Sequence, residues 1–279
     1  MNIENMRAFL EIASVGSFQD AAERLHITQS AISARIKSLE QRMNRQLFVR
    51  KRSGLELTDG GRRFLRHAQS CVESWERAQQ EIALPEVYDD FVSLGIQINY
   101  WQRLVNPWTQ WMDVHAPQTA TRIVSDYSDR LLSLLRDGML DLAVVYSVRQ
   151  SGTLEIETLW DEKLILVSTE KRGLNVGWTP GYVFVDWADE FLAEHNAAFP
   201  DSPPPRLSSS SASVALSHIL AHGGSGYFAE RDVKDLVDDQ TLHIVAAAPY
   251  FTRRTHLVYP RQPTLPESVS QAIAGIRSL

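Results

Sequence analysis

Residues 17–39 read Ser17-Phe18-Gln19-Asp20-Ala21-Ala22-Glu23-Arg24-Leu25-His26-Ile27-Thr28-Gln29-Ser30-Ala31-Ile32-Ser33-Ala34-Arg35-Ile36-Lys37-Ser38-Leu39. The stretch carries two helix starts. Ser17 is placed to cap the first, with Asp20 three residues on, close to a capping box. Thr28 caps the second, with Ile27 and Ile32 at the two positions of a hydrophobic staple. Ala21, Ala22 and Leu25 face inward on the first helix. Ile32, Ile36, Leu39 and Met43 recur at 4-3-4 spacing on the second and give it one apolar stripe. Upstream, Ile3, Met6, Phe9, Leu10 and Ala13 repeat at helical spacing until Gly16 stops them. Two short helices, a tight turn and a third helix make a helix-turn-helix.

The third helix also has an outward face. At 100° per residue it comprises Ser30, Ala34, Lys37 and Gln41, with Ser33 at its edge and Gln29 at the N-terminal tip. A recognition helix presents its N-terminal residues to base edges in the major groove. Gln pairs bidentately with adenine and Ser with several bases, so Gln29, Ser30 and Ser33 are candidates for base readout. Arg35 and Lys37 are within reach of phosphates. Downstream, Leu47-Phe48-Val49, a Ser53-Gly54 turn and Leu55-Glu56-Leu57 form a small hairpin, or wing. It carries Arg50, Lys51 and Arg52, and Arg50 and Arg52 suit phosphate or minor-groove contacts. Thr58 then caps a long helix to about Leu84. Phe64, Ala68, Cys71, Trp75, Ala78 and Ile82 lie at 4-3-4-3-4 spacing, a coiled-coil seam that calls for a partner helix.

Charge is distributed to match. The chain has 279 residues and a net charge of −6. Residues 1–84 are net positive, and most of the basic excess lies between Arg24 and Arg66, whereas the remainder is acidic. A basic module on an acidic body suggests a nucleic-acid-binding part joined to a larger part with another task. At 44% apolar and 22% charged residues the composition is ordinary for globular proteins. The longest apolar run, Ile244 to Phe251, contains Pro249 and is too short to span a bilayer. Cys71 is the single cysteine, which forbids an internal disulfide and suits a reducing compartment. No charged-then-apolar leader opens the chain, so a cytoplasmic location is expected.

Pro85 ends the long helix. Beyond it strands and helices alternate: strands at 91–98, 121–124, 142–146, 164–168, 182–185, 226–229 and 256–259, and helices at 102–115, 129–137, 216–222 and 233–237. This pattern predicts an α/β region with a mostly parallel sheet. Catalytic signatures are missing. Gly223-Gly224-Ser225-Gly226 fits neither a nucleophile elbow nor a phosphate-binding loop. His218 and His222 share a helix face but lack an evident third ligand. No catalytic residue, metal or cofactor is expected. Three readings compete: a ligand-responsive DNA-binding regulator, an α/β enzyme with an accessory basic domain, and an architectural DNA-binding protein. An open polar cleft favours the first, and a cleft filled by side chains the third.

Phe9-Leu10, Ser17-Phe18, Ala21-Ala22, Leu25, Thr28 to Ser33, Ile36, Leu39-Glu40, Leu47-Phe48, Arg50 and Leu57-Thr58 with Gly61 resemble the N-terminal signature of LysR-type transcriptional regulators. Phe91–Gly95, Arg136-Asp137-Gly138, Leu140-Asp141-Leu142 and Gly223–Tyr227 are similar to that family's effector domain. Trp101, Trp108 to Trp111 and Asp186-Trp187 resemble the subgroup that includes a repressor of the flagellar master operon. The resemblance implies a winged helix-turn-helix over 1–58, a linker helix and hinge over 59–88, and a periplasmic-binding-protein-like effector domain of two α/β lobes over 89–279. Lobe I would take about 89–160 and 255–279, and lobe II about 161–254. It further implies double-stranded DNA with a pseudo-palindromic site, a dimer or tetramer, and RNA polymerase as partners, with no membrane. Asn99, after the first strand, and Ser128, before the second helix, would face the cleft and touch a small-molecule effector. Tyr146 ends the third strand, and Ser209 and Ser210 lie near a helix N-terminus that favours an anionic ligand.

Overall fold

The computed structural model describes residues 2–51, 54–148, 152–174 and 181–279, without the side chain of Gln102. The chain divides into two compact units. One runs to Val87 and includes Asp137–Met139; the other comprises Tyr88–Arg136 and Leu140–Leu279.

The first unit contains α1 (Ile3–Val15), α2 (Phe18–Arg24), α3 (Gln29–Met43), a hairpin of β1 (Phe48–Lys51) and β2 (Gly54–Leu57), and α4 (Asp59–Ile82). Its helix starts are the expected ones. The side chains of Ser17, Thr28 and Thr58 accept from the amides of Asp20, Ala31 and Gly61, so one orphan donor of each first turn is satisfied. Gly16 ends α1 with a left-handed φ of 71°, the conformation that a glycine adopts without a Cβ penalty. Ile32, Ile36 and Leu39 of α3 are buried with Phe9, Ile12, Ala21 and Phe48 in one core. Phe9 stands at its centre, with ring centroids 5.2 Å from Phe48 and 5.1 Å from Phe64. Gly61 lets α4 start against the wing: a Cβ there would lie 2.2 Å from the Leu47 carbonyl oxygen.

One expectation for α4 needs correction. Its buried residues are Gly61, Phe64, Ala68 and Val72, all in the unit's own core. Phe64 and Ala68 therefore do not belong to an intermolecular seam. A straight helix repeats every 3.6 residues, so the buried stripe drifts from 68 to 72 while the 3.5-residue pattern continues to Cys71. Past Val72 the apolar side chains lose intramolecular cover: Trp75 is 48% exposed and Ile82 87%. Of the residues expected in the seam, the exposed ones start at Cys71.

The second unit is built on β3 (Asp90–Gln97), β4 (Thr119–Asp126), β5 (Leu142–Val145), β6 (Leu154–Ser168), β9 (Ser225–Ala229), β10 (His243–Ile244) and β11 (Phe251–Pro260). They form one seven-stranded sheet of order β10-β6-β11-β5-β3-β4, with β9 also on β6. A separate parallel pair joins β7 (Val183–Val185) and β8 (Leu207–Ser209). The sheet is mixed rather than mostly parallel. β3 runs parallel to β4 and β5, but β11 is antiparallel to both β5 and β6, and β6 to β9 and β10. The reason lies in β6, which starts ten residues before the expected 164 and pairs with β11 along almost its whole length. The chain makes a long excursion between β6 and β11, so packing of the two strands, and no short connection, sets their antiparallel pairing.

β6 and β11 pass through two hydrophobic cores. The first core holds β3 and β5 with α5 (Trp101–His115) and α10 (Pro266–Arg277), centred on Leu94, Ile96, Leu104, Trp108 and Ile273. The second holds the far ends of β6 and β11, with β7, β9, α7 (Asp189–Ala198) and α8 (Ala212–His222), centred on Leu166, Trp187, Ile219 and Tyr227. Between the cores the register shifts by one residue, at Thr255/His256. α6 (Ser128–Arg136) covers β5, and α9 (Lys234–Asp238) completes the chain order. α7, β8, β10 and α10 were not foreseen from the sequence pattern. We refer to the two layers as lobes I and II.

Candidate functional site

The first candidate surface is the outer side of α3 with the wing. Gln29, Ser30, Ser33, Ala34 and Lys37 are exposed, opposite the buried stripe at 32, 36 and 39. The Ser30 hydroxyl lies 3.0 Å from that of Thr28, so the cap and the first turn share one polar patch. Lys37 and Arg50 project into solvent, whereas Lys51 is held by Glu56 across the hairpin at 2.7 Å. Arg52 lies outside the described residues. Arg35 is placed differently from the rest: it is half-buried and donates from Nη1 to Glu4 of α1 at 3.3 Å, which holds the side chain against the first helix. A positioning residue that the sequence reading passed over is Glu40. Its Oε1 accepts from the amides of Leu47 at 2.7 Å and Phe48 at 3.4 Å, fixing where the wing leaves α3. The signal available in the sequence was a buried-side acid in an otherwise basic segment.

The second candidate site is the boundary between lobes I and II. The five residues expected there do not share one cavity. Asn99 follows β3 and reaches across to lobe II. Its Nδ2 donates to the carbonyls of Ser210 (3.1 Å) and Asp186 (3.4 Å), and its Oδ1 accepts from the Ala212 amide (2.9 Å). It borders a cavity of about 500 Å³ between Trp101 and the Ser213, Leu216 and Leu220 face of α8. Ser128 is buried at the start of α6. Its hydroxyl donates to Gln97 Oε1 and accepts from the amides of Tyr146 and Ser147. It lines a different cavity of about 370 Å³, where Gln97, Ser128 and Ser147 of lobe I face Asp186, Asp189 and Glu190 of lobe II. Ser209 and Ser210 border a third cavity, of about 590 Å³, with Phe184, Leu192 and Phe199 inside lobe II. Ser209 is engaged with the backbone of Ser211. Tyr146 is 3% exposed and belongs to the interior.

Tyr146 is part of a buried charged cluster that the sequence reading missed. Arg253 of β11 lies between two rings, its guanidinium carbon 3.7 Å from the Tyr146 centroid and 4.1 Å from that of Trp187. It donates to Glu162 of β6, and both side chains are nearly inaccessible. Glu162 also accepts from Arg231 of lobe II at 3.0 Å and lies 3.6 Å from Arg103 of α5 in lobe I. One carboxylate thus joins guanidinium groups from both lobes, with cation–π contact to aromatic faces offsetting part of their desolvation. Burial pushes the Tyr146 hydroxyl well above its ordinary value. Asp232 is also pushed up, by burial first and by Glu162 second. His195, behind the lobe II cavity, is held down at about 4 by burial, and the Tyr182 hydroxyl lies 2.9 Å from its Nε2.

Among the described residues no group of three His, Cys, Asp or Glu side chains is placed to hold a metal. His218 and His222 stack on each other, with His222 Nδ1 on the His218 carbonyl. No described helix is long and apolar enough to cross a membrane.

Comparison with known proteins matches both units. Residues 3–62 match the family described as bacterial regulatory helix-turn-helix protein, lysR family, and residues 92–278 match the LysR substrate binding domain. A curated relative, the HTH-type transcriptional regulator HdfR of Salmonella schwarzengrund, is 26% identical over 266 residues, covering 93% of this chain and 92% of its own. Among solved structures, CbnR, a LysR family transcriptional regulator, superposes with a TM-score of 0.71 at 16% identity, covering 100% of this chain and 99% of its own. CbnR complexed with its target DNA gives a TM-score of 0.68 at 17% identity with the same coverage.

Proposed function

The chain belongs to the LysR family of DNA-binding transcriptional regulators with a substrate-binding domain, and from that premise we propose how its surfaces divide the work. Gln29, Ser30 and Ser33 read base edges in the major groove; Lys37, Arg50 and Arg52 hold phosphates; Arg35, tied to Glu4, orients α3 rather than touching DNA. The observation that carries this is the outer face of α3: small and polar at its tip, basic beside it, with the apolar stripe wholly turned inward. Phosphate contacts set register and base contacts specify sequence.

The winged helix-turn-helix spans 1–58, a linker helix and hinge 59–88, and the two-lobed effector domain 89–279. Exposed Cys71, Trp75 and Ile82 on α4 support pairing of two chains. A dimer then reads a pseudo-palindrome with half-sites about one helical turn apart. The open cavities along the lobe boundary favour a ligand-responsive regulator over an architectural protein. The effector site is the cavity that Ser128 lines, with Asn99 acting as a strap between the lobes rather than as a ligand contact. RNA polymerase is the downstream partner, and the protein acts in the cytoplasm without catalysis. Selection of genomic fragments by the purified full chain tests this. One enriched inverted repeat is expected, and Trp75→Glu should turn the sedimenting dimer into a monomer that loses that repeat. Enrichment of DNA with no common sequence overturns the assignment.

A further inference from the structure

We propose that Glu4 is a positioning residue for DNA recognition: through Arg35, Arg7 and Glu76 it ties the recognition helix α3 to the linker helix α4, and this tie sets which spacing of half-sites a pair of chains accepts. The inference rests on the reading of the protein as a dimer that binds two half-sites. Each oxygen of the Glu4 carboxylate takes a different arginine. Oε2 lies 3.3 Å from Arg35 Nη1 of α3, and Oε1 lies 3.1 Å from Arg7 Nη1 of α1. Arg7 then reaches α4, with its Nη2 3.2 Å from Glu76 Oε1. Alternating charges thus join three helices of the first unit.

The place of this relay matters more than its strength. Its four side chains keep between 28% and 51% of their surface in solvent, and ion pairs so exposed add little to stability. The apolar core, however, holds α4 only as far as Val72. Glu76 stands one turn further on, beside half-exposed Trp75, on the part of the helix that the core has released. At the other end, Arg35 follows the tip residues Gln29, Ser30 and Ser33 and precedes Ile36 of the buried stripe. Glu4 itself is fixed locally. It lies in the first turn of α1, where a carboxylate is favoured, and its amide donates to the Asn2 side chain. The relay therefore runs from just behind the reading tip to the start of the uncovered half of α4. Apolar contact is non-directional, so the core resists separation of the helices more than their rotation. Charges paired at fixed points across two helix boundaries resist rotation. That is decisive on a duplex, where one added base pair moves a half-site about 3.4 Å along the axis and about 34° around it. A rigid pair of α3 helices rejects that displacement, and a loosened pair follows it.

The test uses the full-length chain and duplexes carrying the enriched inverted repeat, with half-site spacing changed by one or two base pairs either way, and a duplex with a single half-site. The unsubstituted chain is expected to lose about tenfold in affinity per base pair of misfit, the scale of a mismatched base. Glu4→Gln and Glu76→Gln should each reduce that loss to about threefold, a change the size of one half-exposed ion pair. Single half-site affinity and the Tm of the first unit should stay where they were. The links stand in series, so the two substitutions together should do no more than the stronger one alone. Glu11→Gln, whose partner Arg24 ties α1 to α2 only, should keep the original profile. Profiles of both relay variants that superpose on that of the unsubstituted chain overturn the relay and leave the dimer reading standing. So does an equal loss at every spacing and on the single half-site, which would place Glu4 in the footing of α3 alone. So does an equal gain with a steeper salt slope, which would mean that Arg35, once released, takes a phosphate. An unsubstituted chain that sediments as a monomer or binds every spacing alike removes the dimer reading itself, and the relay with it.

Discussion

The two units of this protein put their polar chemistry in opposite places. The N-terminal unit has an apolar core of helix stripes and phenylalanines, and its Gln29, Ser33, Lys37 and Arg50 stand outside it in solvent. The second unit buries an ion pair, Glu162 with Arg253, and stacks Arg253 between Tyr146 and Trp187. An exterior recognition surface can change without cost to the fold. An interior one is part of the fold, so binding and stability are coupled there. This suits a molecule in which one unit reads a rigid duplex and the other has to respond to what it binds.

The largest effect that would break the comparison is expected at Glu162. Glu162→Ala leaves Arg253 buried without its partner, and loss of one member of such a pair costs about 3–5 kcal/mol. Thermal unfolding should show the second unit melting earlier and the first unchanged. A shift within experimental error would mean that the cluster is dispensable and the contrast with the N-terminal unit is false.

Gln29→Ala should cost about 1–3 kcal/mol of discrimination between cognate and scrambled duplex and leave unfolding of the first unit where it was. Arg50→Ala should weaken both duplexes alike and reduce the salt slope by about 1. Binding over a salt series separates the two. Discrimination lost with Arg50 and retained without Gln29 would reverse the assigned roles.

The smallest effect at neutral pH concerns His195. Its value in the fold is about 4 against an ordinary 6.5, because burial disfavours the charged ring. The unfolded chain therefore takes up the proton first as pH falls. The contribution of His195 to stability is complete above about pH 6.5 and is lost as pH falls towards about 4. His195→Gln should flatten that slope in denaturant titrations at several pH values, whatever it does to stability at pH 7. An unchanged slope would assign the acid sensitivity elsewhere.

Legibility followed sequence distance. Caps at Ser17, Thr28 and Thr58, the 4-3-4 stripe of α3 and the hairpin around Gly54 are local devices, each written within a few residues, and each is present in the fold. The direction of β11 was not legible, because nothing in Phe251 to Pro260 states which strands flank it. The linker helix shows both cases at once. Its length and cap could be read from the pattern, but the division of its apolar residues between its own core and an outer face depended on where α1 and the wing lie.

What the sequence determined by itself is most of the N-terminal recognition unit: helix periods, capping chemistry and the buried stripe and outer tip of α3 follow from spacing, whereas the placement of Arg35 against Glu4 does not. What only the tertiary structure decided is the second unit's site. Asn99 meets Ser210 across 111 residues, and Glu162 meets Arg253 across 91. The carboxylates of α6 and α7 converge on one cavity only after both lobes have formed. A side chain's local neighbours fix its helix or strand, but its electrostatic partners are chosen by packing in three dimensions, and it is those partners that set the charge of the cleft.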